Sequence, residues 1–145
     1  MKSTIYSIGH GNKKIEDFIL ELQSFDIEFL IDIRTKPYSK WHPQYNQALF
    51  KAEIEKNSIR YVFLGDKLGG LPEDRSCYDD EGKVVYDFIK DKDFFKEGLE
   101  RLIIANDKAA KVAIMCSESS PEECHRSKLI GKELLRRNIS INHIV

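Results

Sequence analysis

Only three cysteines occur among 145 residues, and an odd number of thiols excludes a closed disulfide framework. Net charge is equally scarce: 23 Lys and Arg face 24 Asp and Glu, a formal balance of −1. No global field therefore draws the chain toward nucleic acid or a membrane, and any electrostatic attraction must be local. No apolar run approaches the roughly 20 residues that span a bilayer. The opening stretch MKSTIYSIGHG has one lysine and no long hydrophobic core, which makes it a poor signal peptide. Internal repeats, low-complexity segments and linkers are missing as well. These absences predict one cytoplasmic domain over residues 1–145, without a membrane segment. What is present agrees: 41% apolar and 32% charged residues suit a globular core beneath a well-charged surface.

Apolar patterning alternates between two periods. TIYSIGHG (4–11) reads as a buried strand, and Ile15, Phe18, Ile19, Leu22 and Phe25 then recur at helical spacing. EFLIDIR (28–34) is a second strand, nearly continuous in hydrophobicity, as strands covered on both faces are. TKPYSKWHPQYN (35–46) is a loop, QALFKAEIEKNS (47–58) a helix and IRYVFLG (59–65) a third strand. Residues 66–83 show no periodic element, and a connection of about 18 residues is long enough to suggest a functional loop. A helix follows within 84–107, with Phe95, Leu99, Leu102 and Ile103 on one stripe. KVAIMCS (111–117) is the fourth strand, CHRSKLIGKELLRR (124–137) a helix and ISINHIV (139–145) a fifth strand.

Strands alternating with helices predict a single doubly wound, Rossmann-like α/β domain around a mainly parallel five-stranded sheet. The expected strand order is 3-2-1-4-5, with 2-1-3-4-5 as the alternative. In either order ligands bind beyond the carboxyl ends of the strands, where the order reverses. His10, Asp32, Arg34, Gly69, Gly70, Cys116 and Glu118 all follow or end strands, so the unusual polar residues converge on one edge.

Each has a structural and a functional reading. Ser120, Pro121 and Glu123 have the spacing of a capping box with proline at the first helical position. That arrangement puts Cys124, His125 and Arg126 in the first turns of a helix, whose free amides favour an anion, although Glu122 and Glu123 compete. Cys116, Cys124, His125 and His10 are zinc-ligand types, but the spacing C-x7-C-H is uncommon and adjacent side chains on a helix point about 100° apart. The expectation is therefore no metal and no cofactor, with zinc as the minor alternative. A Cys116–Cys124 disulfide is disfavoured in a reducing compartment, and Cys116 reads as a small core residue. Cys124, at a helix start beside Arg126, is the reserve candidate for a nucleophile.

His10, flanked by glycines in GHGN, reads as a general acid or base more readily than as a packed core residue. Asp32 and Arg34 share a facing in the strand, as a structural ion pair or as an arginine oriented by its aspartate to grip a phosphate or carboxylate. The loop after Arg34 interleaves Lys36, Lys40 and His42 with Tyr38, Trp41 and Tyr45, which suits either packing onto the domain or holding phosphates and stacking on bases. LGDKLGG lets backbone approach a ligand but is no P-loop.

Together SIGHGN, LIDIRTKPYSKWHPQYN, YVFLGDKLGG, YDFIKDKDFFKEGLERL and MCSESSPEECHRS resemble, in that order, the blocks of the family termed domain of unknown function 488. The resemblance runs from about Thr4 to His143. Carried over residue by residue, it implies importance for His10, Asp32, Arg34, Pro37, Ser39, Gly69, Gly70, Cys116, Glu118, Cys124, His125 and Arg126. The departure is Gly11, where the family usually has serine. The resemblance supports the architecture and the residue set, and supplies no reaction.

The resulting expectation is an enzyme, a hydrolase or transferase, acting on a phosphate-bearing small molecule or nucleotide in a cleft at the carboxyl edge. Arg34 and Arg126 hold the anion, with Ser39, Gly69, Gly70 and His125 beside them. His10 is the acid or base, and Glu118 or Asp32 orients it. The alternatives are a non-catalytic module for nucleotide or single-stranded nucleic acid, and a metal or thiol redox protein.

Overall fold

The computed structural model describes residues 4–118, 120 and 124–144, the side chain of Ser127 excepted. Five parallel strands form the sheet: β1 (Ile5–Gly9), β2 (Phe29–Asp32), β3 (Arg60–Phe63), β4 (Val112–Cys116) and β5 (Asn142–His143). Helices cover both faces, as the alternation of periods predicts. Helix α1 (Ile15–Ser24) buries Phe18, Ile19 and Leu22, and α2 (Gln47–Lys56) buries Phe50 and Ile54. These pack with Ile8, Leu30, Tyr61, Ala113 and Met115 on one side of the sheet. On the other side α5 (Asp93–Asp107) contributes Phe95, Leu99 and Leu102 against Ile5, Ile31, Ile33 and Ile114.

Strand order is the main correction. It is β3-β2-β4-β1-β5, so β4 lies between β2 and β1 where the expected order put β1 in the centre. Alternating elements specify a parallel sheet but not which strand is central; burial does. VAIMC is buried at all five positions and carries no charged group, whereas β1 leaves Tyr6 partly exposed. The wholly apolar strand takes the centre of the sheet, two strands in from either edge. The adjacency of β1 and β4 survives the change: Ile5 pairs with Val112 and Gly9 with Cys116. Chain leaving β1 and β2 goes to the α1/α2 face, and chain leaving β4 goes to the opposite face. The crevice therefore opens on either side of the end of β4.

Four further boundaries differ. The connection 66–83, read without elements, holds a 3-10 turn at Arg75–Cys77, and α3 (Gly65–Leu68) starts just ahead of it. Four residues are too few to show a period. The helix expected within 84–107 is two, α4 (Tyr86–Ile89) and α5. The stretch read as a helix over 124–137 is a π-helical turn at Arg126–Gly131 running into α6 (Lys132–Leu135). Of the strand read over 139–145, Asn142 and His143 alone pair among the described residues, with Tyr6 and Ser7. The capping box falls partly on Pro121 and Glu123, outside the described residues.

Candidate functional site

The end of β2 builds the first wall. Asp32 shares the parity of Leu30, so its carboxylate turns toward the α1/α2 face, where water is excluded and partners are obligatory. Asp32 Oδ1 accepts from the backbone N–H of Arg34 at 3.1 Å and from Arg34 Nε at 2.9 Å. Oδ2 accepts from Arg34 Nη2 at 2.8 Å and from the Tyr61 hydroxyl at 2.5 Å. Burial, then the charge of Asp32, pushes the Tyr61 hydroxyl well above its ordinary pKa. The guanidinium also lies 5.7 Å over the ring of Phe50. This grip uses Nε and Nη2 and leaves Nη1 buried, with no hydrogen-bond partner among the described residues.

His10 stands beside this pair. Its backbone N–H donates to the Cys116 carbonyl at 3.1 Å, extending the β1–β4 ladder past the strand. Its ring stacks on Tyr45, centroids 4.2 Å apart, and meets His42 edge-on at 6.2 Å. Nδ1 lies 2.8 Å from the Gly11 carbonyl, which only accepts, so Nδ1 carries the proton and neutral Nε2 presents a lone pair. Burial lowers the pKa of His10 to about 4; the Gly11 carbonyl and Asp32 oppose this, while Arg34 and His42 add to it. Nε2 is buried without a partner among the described residues.

The second wall comes from β4 and the turn after it, on the opposite face. Cys116 is buried and Cys124 packs with it. Arg126 holds both sulfurs: its backbone N–H donates to Cys124 Sγ at 3.5 Å, and its guanidinium donates to Cys116 Sγ. The same guanidinium donates to the Glu118 carbonyl at 2.6 Å and to Ser7 Oγ at 3.1 Å. His125 Nδ1 lies 3.5 Å from Cys124 Sγ. A hydrogen bond from Cys116, followed by that from His125, its charge and the Arg126 N–H, lowers the Cys124 thiol to a pKa of about 4 against the cost of burial. Cys116 is pushed up correspondingly, first by its bond to Cys124 and then by burial.

A cleft of about 690 Å³ joins the walls, lined among others by Arg34, Lys36, Gly70, Tyr86, Cys124 and His125. Two other hollows of about 700 Å³ lie over helix surfaces, and none of the unpartnered buried nitrogens lines either. Gly70 faces His125: a Cβ there would stand 3.0 Å from the imidazole Nδ1. Gly9 is under a tighter constraint, since a Cβ would come within 1.6 Å of the Glu118 carbonyl oxygen. The turn after β4 can cross β1 only over a residue without a side chain.

The predicted residues thus divide. Arg34, Gly70, Glu118, Cys124 and His125 line the cleft, with Asp32 behind Arg34. Gly69 packs against Thr35, outside the lining. Ser39 shapes its own loop, its Oγ accepting from the His42 N–H at 3.0 Å and its N–H donating to Asn46 at 2.6 Å. Arg126 is wholly buried and ties β1, β4 and the cysteines together from below. Glu118 is exposed and gives its main-chain carbonyl to Arg126. Among the described residues no cluster of three or more His, Cys, Asp or Glu is placed to hold a metal. No helix among them is long and apolar enough to cross a membrane.

Sequence reasoning missed Ser7, Thr35, Tyr78 and Tyr86. Thr35 Oγ1 accepts from the Leu71 N–H at 2.9 Å and pins the 66–83 connection to β2. Tyr78 and Tyr86 line the cleft, and Arg75 lies 5.4 Å over the Tyr78 ring. For Tyr78 the available signal was an aromatic within so long a connection; Tyr86 lies beyond it, at the start of α4.

The family model for the domain of unknown function DUF488 matches residues 14–132. The chain belongs to this family. The match takes in the Asp32–Arg34 block and the Cys116–Arg126 block, whereas His10 and Gly11 precede it. No curated protein and no solved structure matches the DUF488 chain.

Proposed function

We propose that the protein is an enzyme, a hydrolase or transferase, that acts on a phosphate-bearing small molecule or nucleotide within this cleft in a reducing, cytoplasmic setting. The observation that carries the reading is a pair of buried nitrogens without partners among the described residues, Arg34 Nη1 and His125 Nε2, on residues lining one cleft with Cys124. Buried polar groups are nearly always satisfied, and an unpaired guanidinium N–H is costly unless something occupies the space before it. An oxyanion is the natural occupant. His125 Nδ1 lies against the Cys124 sulfur, which leaves Nε2 to hydrogen-bond the bound molecule. Lys36 and Arg75 add positive charge to the walls, and Tyr78 and Tyr86 add ring faces.

Cys124, held as thiolate, is the nucleophile in this reading. Its sulfur bonds to the reacting centre, the leaving group departs with its electron pair, and water or a second acceptor then releases the covalent intermediate. Neutral His10 offers Nε2 as a proton acceptor next to Arg34. Arg126, first expected to grip the anion, positions the two cysteines instead. The test is calorimetric titration of reduced protein with inorganic phosphate and with nucleoside monophosphates. Binding that Arg34→Met abolishes supports the reading; wild-type protein that binds neither overturns it.

A specific observation also favours the non-catalytic alternative. Trp41 is 80% exposed and Tyr38 67% exposed, with Lys40 Nζ 5.4 Å over the Trp41 ring. Exposed rings beside cations suit stacking on a single strand. Salt-sensitive quenching of Trp41 fluorescence by a short oligothymidylate supports this alternative, and unchanged fluorescence excludes it.

A further inference from the structure

From the juxtaposition of Cys116 and Cys124 on one arginine, at the wall of a solvent cleft, we infer that the two thiols are a reversible oxidation site closed to a disulfide by hydroperoxides. The chemistry stands on the sulfur pair alone; its consequence, loss of the nucleophile, rests on the function proposed above.

The geometry separates the two sulfurs by role. Cys116 ends the central strand, Cys124 lies just ahead of the next helix, and Arg126 bonds both sulfurs, its backbone N–H to Cys124 at 3.5 Å and its guanidinium to Cys116. Both residues are buried yet line the cleft, which is the route a small peroxide would take to them. Cys124 is the sulfur that attacks, because the Arg126 N–H and His125 both stabilise its anion. Cys116, whose thiol donates to the Glu118 carbonyl at 3.7 Å, is the resolving partner. Cys77 is a built-in reference: it is fully buried, lines no part of this cleft, and its thiol is raised by burial.

The steps balance without a further reactant. The Cys124 thiolate attacks the outer oxygen of the hydroperoxide, the O–O bond breaks, and an alkoxide or hydroxide leaves with the electron pair. Cys124 is then a sulfenic acid. Cys116 attacks that sulfur, its thiol proton departs with the hydroxyl as water, and the S–S bond forms. Two thiols have lost two electrons and the peroxide has gained them. A dithiol reductant reverses the closure.

Trypsin places the pair in one peptide, Val112 to Arg126, and Cys77 in another, Ser76 to Lys83. Reduced full-length protein is treated with limiting hydrogen peroxide, alkylated, digested and weighed. The expected result is a Val112–Arg126 peptide lighter by two hydrogens and closed to alkylation until dithiothreitol is added. It forms at least about tenfold faster than any oxidation of Cys77. Cys116→Ser is expected to divert Cys124 to the sulfinic acid, which dithiothreitol does not reverse. Wild-type protein that goes directly to sulfinic acid, or in which Cys124 oxidises no faster than Cys77, overturns the inference even if the variant fails to fold. Phosphate titration of the same reduced sample is read separately. Binding without disulfide formation sinks this inference alone, and disulfide formation without binding sinks the function proposed above alone.

Discussion

Replacing Asp32 and Arg34 singly and together tests whether the pair serves stability or the ligand. Both side chains are nearly inaccessible, at 0% and 3% exposure, and are joined through Nε and Nη2. Asp32→Leu strands a guanidinium in the interior and deprives the Tyr61 hydroxyl of its acceptor. Breaking a buried pair from one side costs about 3–5 kcal/mol, so a loss of about 4 kcal/mol is expected. That is a large share of the roughly 5–15 kcal/mol that holds a domain folded. Arg34→Met leaves a carboxylate that still has Tyr61, and the expected loss is about 3 kcal/mol. The double variant Asp32→Leu/Arg34→Met removes both charges and leaves the Tyr61 hydroxyl and the backbone N–H of residue 34 without their acceptor, at about 2 kcal/mol in all. The singles therefore sum to about 7 kcal/mol against about 2 for the double, a coupling near 5 kcal/mol. Urea unfolding followed by circular dichroism at neutral pH measures all four proteins. Additivity within about 0.5 kcal/mol would refute the claim that these groups are a desolvated pair. The function has its own readout: the double variant, though folded, is expected to bind no phosphate.

Three other outcomes follow from single positions. Because burial lowers the pKa of His10 from 6.5 to about 4, the unfolded chain binds the extra proton between these values. Folding stability then rises with pH across that window by about 3 kcal/mol and is level above it; His10→Gln should flatten this slope in urea titrations at several pH values. Gly9→Ala drives a Cβ into the Glu118 carbonyl and should destabilise by about 3 kcal/mol or prevent folding, as thermal unfolding would show. Gly70→Ala crowds the His125 imidazole and should weaken phosphate affinity about tenfold with stability changed by less than about 1 kcal/mol, a contrast that calorimetry and urea unfolding together would expose.

The helices and strands were legible wherever a period ran for two turns or an apolar stretch was unbroken. Ile15 to Phe25 and Phe95 to Ile103 announce α1 and α5 plainly. The order of strands was not legible, because alternation records the sequence of elements and not which strand is most enclosed. Of the site, the Asp32–Arg34 pair and the Cys124–His125 wall follow from residues placed beyond strand ends. Cys116 was legible as core, and it is buried; its bond from the Arg126 guanidinium is a tertiary tie with no local signature. Arg126 was misjudged for a physical reason. On a regular helix a guanidinium at that position could face a ligand, whereas here it points beneath the sheet to Ser7 and Cys116. Tyr78 and Tyr86 belong to a segment held by Thr35 and the isolated Tyr78–Val84 bridge, long-range ties with no local signature.

The wide turn at Arg126–Gly131 accommodates one residue more than an α-helix would in the same span. Excising a single amino acid from it would regularise the coil and improve its local bonding. It would also swing Cys124, His125 and Arg126 through about 100° relative to everything C-terminal of them. The slack in this coil is thus a setting that aims three side chains, and in this stretch a more regular helix would misalign the wall of the cleft.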